Sequence, residues 1–405
     1  MATATHAEKV TPRPSPALQV KTQTHLPFLD GIRALMALWV ACGHGFQDFI
    51  HVVDNYNGHD GFLPSPFFQQ AFYAHFAVDV FIVLSGFCLM LPVARNDQFA
   101  LPGGWGTFLT RRAKRILPPY YTALLLGLGM SALRCRLWPD GWEAKAIAQV
   151  DFAPKAILAH IFLVQNMWDP WARAIDGPTW SVATESQIYI LFPLFLLPLW
   201  RRLNPVMVIL FVSAIGTDIF LATRTSLCTT NSGLTSCAWY LGLFAMGMYA
   251  AQCHVRKWNI RLRPWLLTAG LAFIAGAAIA IIFLDWMPIF MWALDLIIGA
   301  ATALMLAYLS SFSSHRTKNP AVSFLELRPL VALGTFSYSF YLIHAPILNV
   351  VVTILLKNQA APAASACILG GTILAIIFLA RIFYQLVELP SMYKRRTNFA
   401  DVSPR

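Results

Sequence analysis

Ten runs of mostly apolar residues, each close to the roughly 20 residues a helix needs to cross a hydrocarbon core, constrain this chain more than any other feature. They fall at 28–47, 73–94, 116–133, 180–200, 205–222, 237–253, 264–284, 288–309, 331–355 and 364–388. In lipid, backbone N–H and C=O groups must be paired within the protein, so such runs become helices and the exposed connections lie outside the bilayer core. Only 12% of the 405 residues are charged and 57% are hydrophobic, against about 25% charged in soluble domains. The expectation is an all-α polytopic membrane helix bundle of about ten transmembrane helices. Residues 1–25 are polar and Pro-containing, with no apolar core after a basic start. They read as a disordered cytoplasmic tail and not as a cleaved signal. Residues 26–393 form the transmembrane domain and 394–405 a basic cytoplasmic tail. The run at 155–165 is too short to span easily and is expected at the interface.

The net charge of +11 comes from short basic blocks between the apolar runs, such as Arg111, Arg112, Lys114 and Arg115, or Arg201 and Arg202. With the N-terminus inside, Lys and Arg in inner segments outnumber those in outer segments about threefold, which puts both termini in the cytoplasm. The positive charge is thus topological, and no nucleic-acid partner is expected. The chain contains no Gly-rich phosphate loop and no zinc-type Cys/His array, so no metal is expected either. The long outer loop, 134–179, mixes Trp138, Trp142, Trp168 and Trp171 with Asp140, Glu143, Asp169 and Asp176. That mixture suits a carbohydrate-binding lid or an interfacial aromatic belt. Cys228 and Cys237 flank a short outer loop on an oxidising face and are expected to bridge, the alternative being two unpaired thiols.

Ionisable groups inside spans cost a few kcal/mol each on insertion scales and normally face a protein interior or a wet cavity. In the first run, LPFLDGIRALMALWVACGHGF, Asp30 and Arg33 are one turn apart and can pair. Arg33 and His44 are eleven residues apart, which places them on one face about 16 Å from each other along the axis. Gly43 and Gly45 flank His44 and leave room for close approach. Asp79 lies in the second run and Glu185 near the outer end of the fourth. By depth, His44, Asp79 and Glu185 could share one cavity as a base with its orienting carboxylates, or form a polar network that locks helices together. Arg112 and Arg115 can share a face as a phosphate-binding pair or serve as a positive-inside anchor. Tyr338, Tyr341 and His344 in the ninth run are secondary candidates.

Together these segments resemble the acyltransferase-3 family of integral membrane acyltransferases. LDGIRALMALWVACGH is similar to its first-helix motif, a basic residue and a His separated by ten residues, matched by Arg33 and His44. VDVFIVLSGF resembles the second-helix motif, and RRAKR the Arg-x-x-Arg motif at Arg112 and Arg115. WSVATESQIYILFPL matches the Trp-Ser-x-x-x-Glu-x-x-x-Tyr pattern through Trp180, Ser181, Glu185 and Tyr189, and SYSFYLIHAPIL and VELP also match. The chain departs from the family at Phe81-Ile82, where Phe-Phe is frequent, and at Ala183-Thr184, where Ser-Val is usual. It has no segment like the C-terminal SGNH-type domain of some members, so a stand-alone member is expected.

The resemblance implies O-acylation, typically acetylation, of a carbohydrate, glycolipid or related hydroxyl acceptor in a bacterial inner membrane. The donor would be cytosolic acyl-CoA, used as a co-substrate, with no other cofactor. Arg33, Arg112 and Arg115 would handle the donor, and His44 would act as base with Glu185 and Asp79 beside it. Asp30, Ser181, Tyr189, Tyr338 and His344 would play supporting parts. The rival is a transporter or flippase without acyl-transfer chemistry, since intramembrane charges also mark substrate paths.

Overall fold

The computed structural model describes residues 26–57, 74–141, 147, 149–226, 237–257, 287–313 and 319–392. Both terminal tails, the apolar run at 264–284, Trp142, Glu143 and Cys228 lie outside the described residues. Among the described residues every regular element is helical. The principal helices are α1 (Pro27–Tyr56), α2 (His75–Ala94), α3 (Gly104–Leu137), the short α4 (Pro154–Ile161) and α5 (Trp180–Leu191). They continue with α6 (Pro205–Ser226), α7 (Tyr240–Val255), α8 (Met287–Ser313), the short α9 (Pro320–Leu325) and α10 (Arg328–Thr335), α11 (Ser337–Lys357) and α12 (Pro362–Phe383). Among the described residues, seven helical segments are long and apolar enough to cross a membrane. The first and sixth runs also become helices, α1 and α7, so the chain is an all-α polytopic bundle.

Burial sorts the helices. In α2 and α11, 72% of the most apolar window is buried inside the protein, against 22% in α6 and α12. A helix apolar all round belongs at the centre, and α2 has α1, α7 and α8 packed around it. Leu374, Phe378 and Leu386 on the α12 side, and Met207 and Leu210 on α6, remain exposed as a lipid-facing surface.

Between helices in lipid the hydrophobic effect offers little, and close backbone contact through small residues takes its place. A Cβ on Gly86 would stand 2.1 Å from Phe244 O, and one on Gly247 would stand 2.0 Å from Val83 O. These two glycines let α2 and α7 meet backbone to backbone. Gly31 against Leu325 O and Gly334 against Asp30 O do the same where α9 and α10 press on α1.

Three departures from the sequence reading position the site. α3 begins at Gly104, well before the apolar run at 116, so the basic block lies on the helix, where Arg112 and Arg115 can share a face. Gly103 and Gly104 adopt positive φ of 78° and 75°, turning the chain into the helix in a conformation that favours glycine. The ninth run breaks at Phe336 into α10 and α11. There Thr335 Oγ1 donates to Ala332 O at 2.7 Å and Ser337 Oγ to Gly334 O at 2.9 Å, serving carbonyls that the broken helix would leave unpaired. Finally, α5 and α12 each pass through a π turn, at Phe192–Leu196 and Tyr384–Glu388. Pro198 and Pro390 follow these turns, and a proline has no N–H to give to the carbonyl four residues back. The second turn carries Glu388 inward, buried, where it accepts from Ser339 Oγ at 2.5 Å.

Candidate active site

α1, α2, α3, α5 and α11 enclose a cavity of about 120 Å³. Its basic wall is Arg33 from α1 with Arg112 and Arg115 from α3. Arg33 Nη1 donates to Asp30 Oδ1 at 2.7 Å, the one-turn pairing that the spacing allows, and Nη2 to Cys88 Sγ at 3.0 Å. Arg112 lies over the rings of Phe108 and Tyr189, 5.9 Å from each centroid. Its Nε is buried without a hydrogen-bond partner. The basic wall therefore includes a donor that no protein group takes up.

The cavity also holds the carboxylate of Glu185. Its Oε1 accepts short hydrogen bonds from Ser85 Oγ and Tyr189 OH. Glu185 and Tyr189 are one turn apart on α5, and Ser85 comes from α2, so two helices meet at this carboxylate. Tyr338 and Tyr341 complete the α11 side. Tyr338 OH donates to Ile116 O at 3.2 Å, and Tyr341 OH is 2.7 Å from Ser181 Oγ and donates to Pro178 O at 2.8 Å.

His44 is not in the cavity wall; it is partly buried beside His344. The two rings are stacked at 5.2 Å with planes 6° apart, and His44 Nδ1 is 2.9 Å from His344 Nε2. His344 Nδ1 is 2.5 Å from Tyr341 O. A carbonyl only accepts, so His344 Nδ1 carries the hydrogen. When both rings are neutral, His344 Nε2 is then the acceptor, His44 Nδ1 must donate to it, and the lone pair of the pair's outermost nitrogen, His44 Nε2, is left for another partner. One hydrogen-bond chain thus sets both tautomers. Tyr341 joins the pair to the cavity: its backbone carbonyl holds His344, and its ring lies 5.6 Å from the His344 ring and in the cavity wall. Gly45 packs toward Ile373 of α12, so at least one glycine beside His44 serves helix contact.

The structure distributes the three groups that depth placed together. Glu185 lines the cavity, His44 pairs with His344, and Asp79 sits with His75 of its own helix and Asp295 of α8. No described contact links Asp79 to His44. Sequence reasoning passed over His75, Cys88 and Asp295. The available signals were a His one turn before Asp79 and an Asp inside the eighth apolar run.

The connection between α3 and α5 contains buried polar groups of its own. His160 and Asp176 are fully enclosed. Burial holds His160 below the usual imidazole range despite its bond to Ala156 O, and burial, helped by Asp151, pushes Asp176 well above the usual carboxylate range. Trp168 and Trp171 stand 6.1 Å apart at this connection.

A family model described as an acyltransferase domain, of the acyltransferase-3 type, matches residues 26–381. The chain is 25% identical over 407 aligned residues to O-acetyltransferase OatA of Staphylococcus aureus, covering 93% of this chain and 58% of that protein. It therefore spans little more than half the length of that relative. It is 29% identical over 154 residues to an uncharacterized protein of Haemophilus influenzae, covering 36% of this chain and 59% of that protein. It is 25% identical over 187 residues to the regulator of hypoxia-inducible factor 1 of Caenorhabditis elegans, covering 44% and 36% of the two chains. No solved structure matches.

Proposed function

The chain belongs to the acyltransferase-3 family, and on that premise we propose that it is a membrane O-acyltransferase moving an acetyl or similar short acyl group from cytosolic acyl-CoA to a hydroxyl of a carbohydrate, glycolipid or related metabolite. The observation that carries the reading is the meeting of Arg33, Arg112 and Arg115 on one cavity, with Arg112 Nε still unengaged. Guanidinium groups grip phosphate through paired donors, and CoA is a phosphate-rich donor. An O-acetyltransferase among the relatives agrees with this choice.

The chemistry follows from the histidine pair. His44 Nε2 takes the proton of the acceptor hydroxyl as its oxygen attacks the thioester carbonyl carbon. As the C–S bond breaks, the imidazolium returns that proton to the departing CoA sulfur, so charge and protons balance. His344 serves as the positioning residue: its Nε2 accepts from His44 Nδ1 and favours the cation that forms. Glu185, held by Ser85 and Tyr189, lines the same cavity as the three arginines and Tyr341.

The test is thiol release from acetyl-CoA by the full chain purified in detergent, with mass spectrometry of host glycans and lipids from cells with and without the chain. Acceptor-dependent thiol release and a matching acetyl mass increase are expected. No CoA release with any fraction of host glycans and lipids would overturn the reading in favour of transport.

A further inference from the structure

The third polar cluster is buried apart from the cavity. His75 is the first residue of α2, Asp79 is one turn along it, and Asp295 comes from α8. One ligand atom from each lies within 4.8 Å of the other two. His75 Nε2 is 2.9 Å from Asp295 Oδ2 and 3.9 Å from Asp79 Oδ1. Both aspartates are completely buried. Trp239 Nε1 donates to Asp295 Oδ2 at 2.8 Å. Both oxygens of Asp79 and Oδ1 of Asp295 accept no well-formed hydrogen bond, although Asp79 faces the Tyr240 hydroxyl and the Asp295 carboxyl.

A buried ion is stable only when paired and hydrogen-bonded. One imidazolium beside two carboxylates leaves a negative charge unless the carboxylates also share a proton. A divalent cation would balance two carboxylates and a neutral imidazole. Donors bonded to one ion at about 2.1 Å stand no more than about 4.2 Å from each other, and both measured His75–carboxylate separations lie inside that limit. The surroundings hold the donors in place. Trp239 orients Asp295, and the His75 ring stacks on Trp180 at 5.8 Å and 19°. Partners of this kind keep metal ligands in a fixed orientation.

We propose that His75, Asp79 and Asp295 bind one divalent transition-metal ion of the Zn²⁺ class and thereby tie α2 to α8. One nitrogen and two carboxylate donors suit Zn²⁺ or Mn²⁺ better than Mg²⁺ or Ca²⁺, which take oxygen ligands. The site goes beyond the proposed acyl transfer, and its test reads metal content and not transfer.

The full chain, purified without a polyhistidine tag, is stripped with chelator, equilibrated with Zn²⁺ and dialysed before elemental analysis. About one Zn²⁺ per wild-type chain is expected. Asp79→Asn and Asp295→Asn should weaken binding by more than about 100-fold, and Trp239→Phe by about 10- to 100-fold. Co²⁺ substitution of the wild type should give visible d–d absorption that excess Zn²⁺ abolishes, which decides the matter even where a variant fails to fold. Folded wild type that retains no Zn²⁺ and shows no such absorption would overturn the site and leave a carboxylate pair sharing a proton. So would equal Zn²⁺ retention by Asp79→Asn.

Discussion

Glu185 and the Asp79–Asp295 pair put carboxylates into the same helix bundle by opposite means. Glu185 stands at an open cavity, accepts from Ser85 and Tyr189, and shares that cavity with three arginines. Asp79 and Asp295 are fully enclosed, and three of their four oxygens accept no well-formed hydrogen bond. The contrast separates a carboxylate completed by its own chain from a pair that requires something further. In a low-dielectric interior, an unpaired polar group costs much more than a paired one contributes. The first arrangement belongs to a wall that must hold its shape while substrates pass, and the second to a point where helices are joined.

The largest expected effect lies at the histidine pair that Tyr341 joins to the cavity. His44→Ala should lower acetyl transfer by about 10²–10⁴-fold, the usual worth of general-base help, with the amount of membrane-inserted protein unchanged. His44→Gln should fail equally, because it keeps a hydrogen bond and loses basicity. His344→Ala should reduce kcat less, since it removes the group that sets the tautomer and not the base. Transfer by purified His44→Ala within a few-fold of wild type would assign the histidine pair to packing.

Next comes the basic wall. Replacing both Arg112 and Arg115 by Gln should raise the KM for acetyl-CoA by more than about tenfold, and Lys at both should recover only part, because the planar paired donors are lost. Steady-state kinetics in detergent decides this, and an unchanged KM would reduce the block to a topological anchor.

Stability should then split the two carboxylate regions. Glu185→Gln should destabilise by about 1–3 kcal/mol, since the carboxylate accepts two hydrogen bonds and the amide brings donors of its own. In chelator-treated protein Asp79→Asn should do the reverse and raise the apparent Tm by about 2–4 °C, because it relieves the crowding of two buried carboxylates that must otherwise share a proton. Thermal unfolding in detergent reads both, and a loss of Tm in metal-free Asp79→Asn would erase the contrast.

The smallest effect is expected outside the membrane-spanning segments, at Asp176. The folded chain keeps that proton to a higher pH than the unfolded chain does, since burial raises the group. Stability therefore falls as pH rises from the ordinary carboxylate range through the raised value. Asp176→Asn stays neutral throughout and should flatten that part of the melting-temperature profile. An identical pH profile for wild type and variant would count against a buried, proton-holding Asp176.

Much of this protein was determined by sequence alone. Runs of about 20 apolar residues leave a chain in lipid no choice but helices, and the family motifs at Arg33, His44, Arg112, Arg115 and Glu185 stand in order along it. The pairing of Asp30 with Arg33 was also legible, because one helical turn is a local distance. Tertiary structure alone decided which distant groups meet. His44 and His344 lie 300 residues apart in sequence, and His75 and Asp295 lie 220 apart. Span depth placed His44, Asp79 and Glu185 at similar heights, but height does not fix how each helix is rotated about its axis. That rotation is set where backbones touch, at Gly86 against Phe244 and Gly247 against Val83. These contacts turn Asp79 toward α8 and leave Ser85, six residues later, on the cavity with Glu185. Helical periodicity is a property of one segment, whereas the polar partner each face receives is a property of the packing between segments.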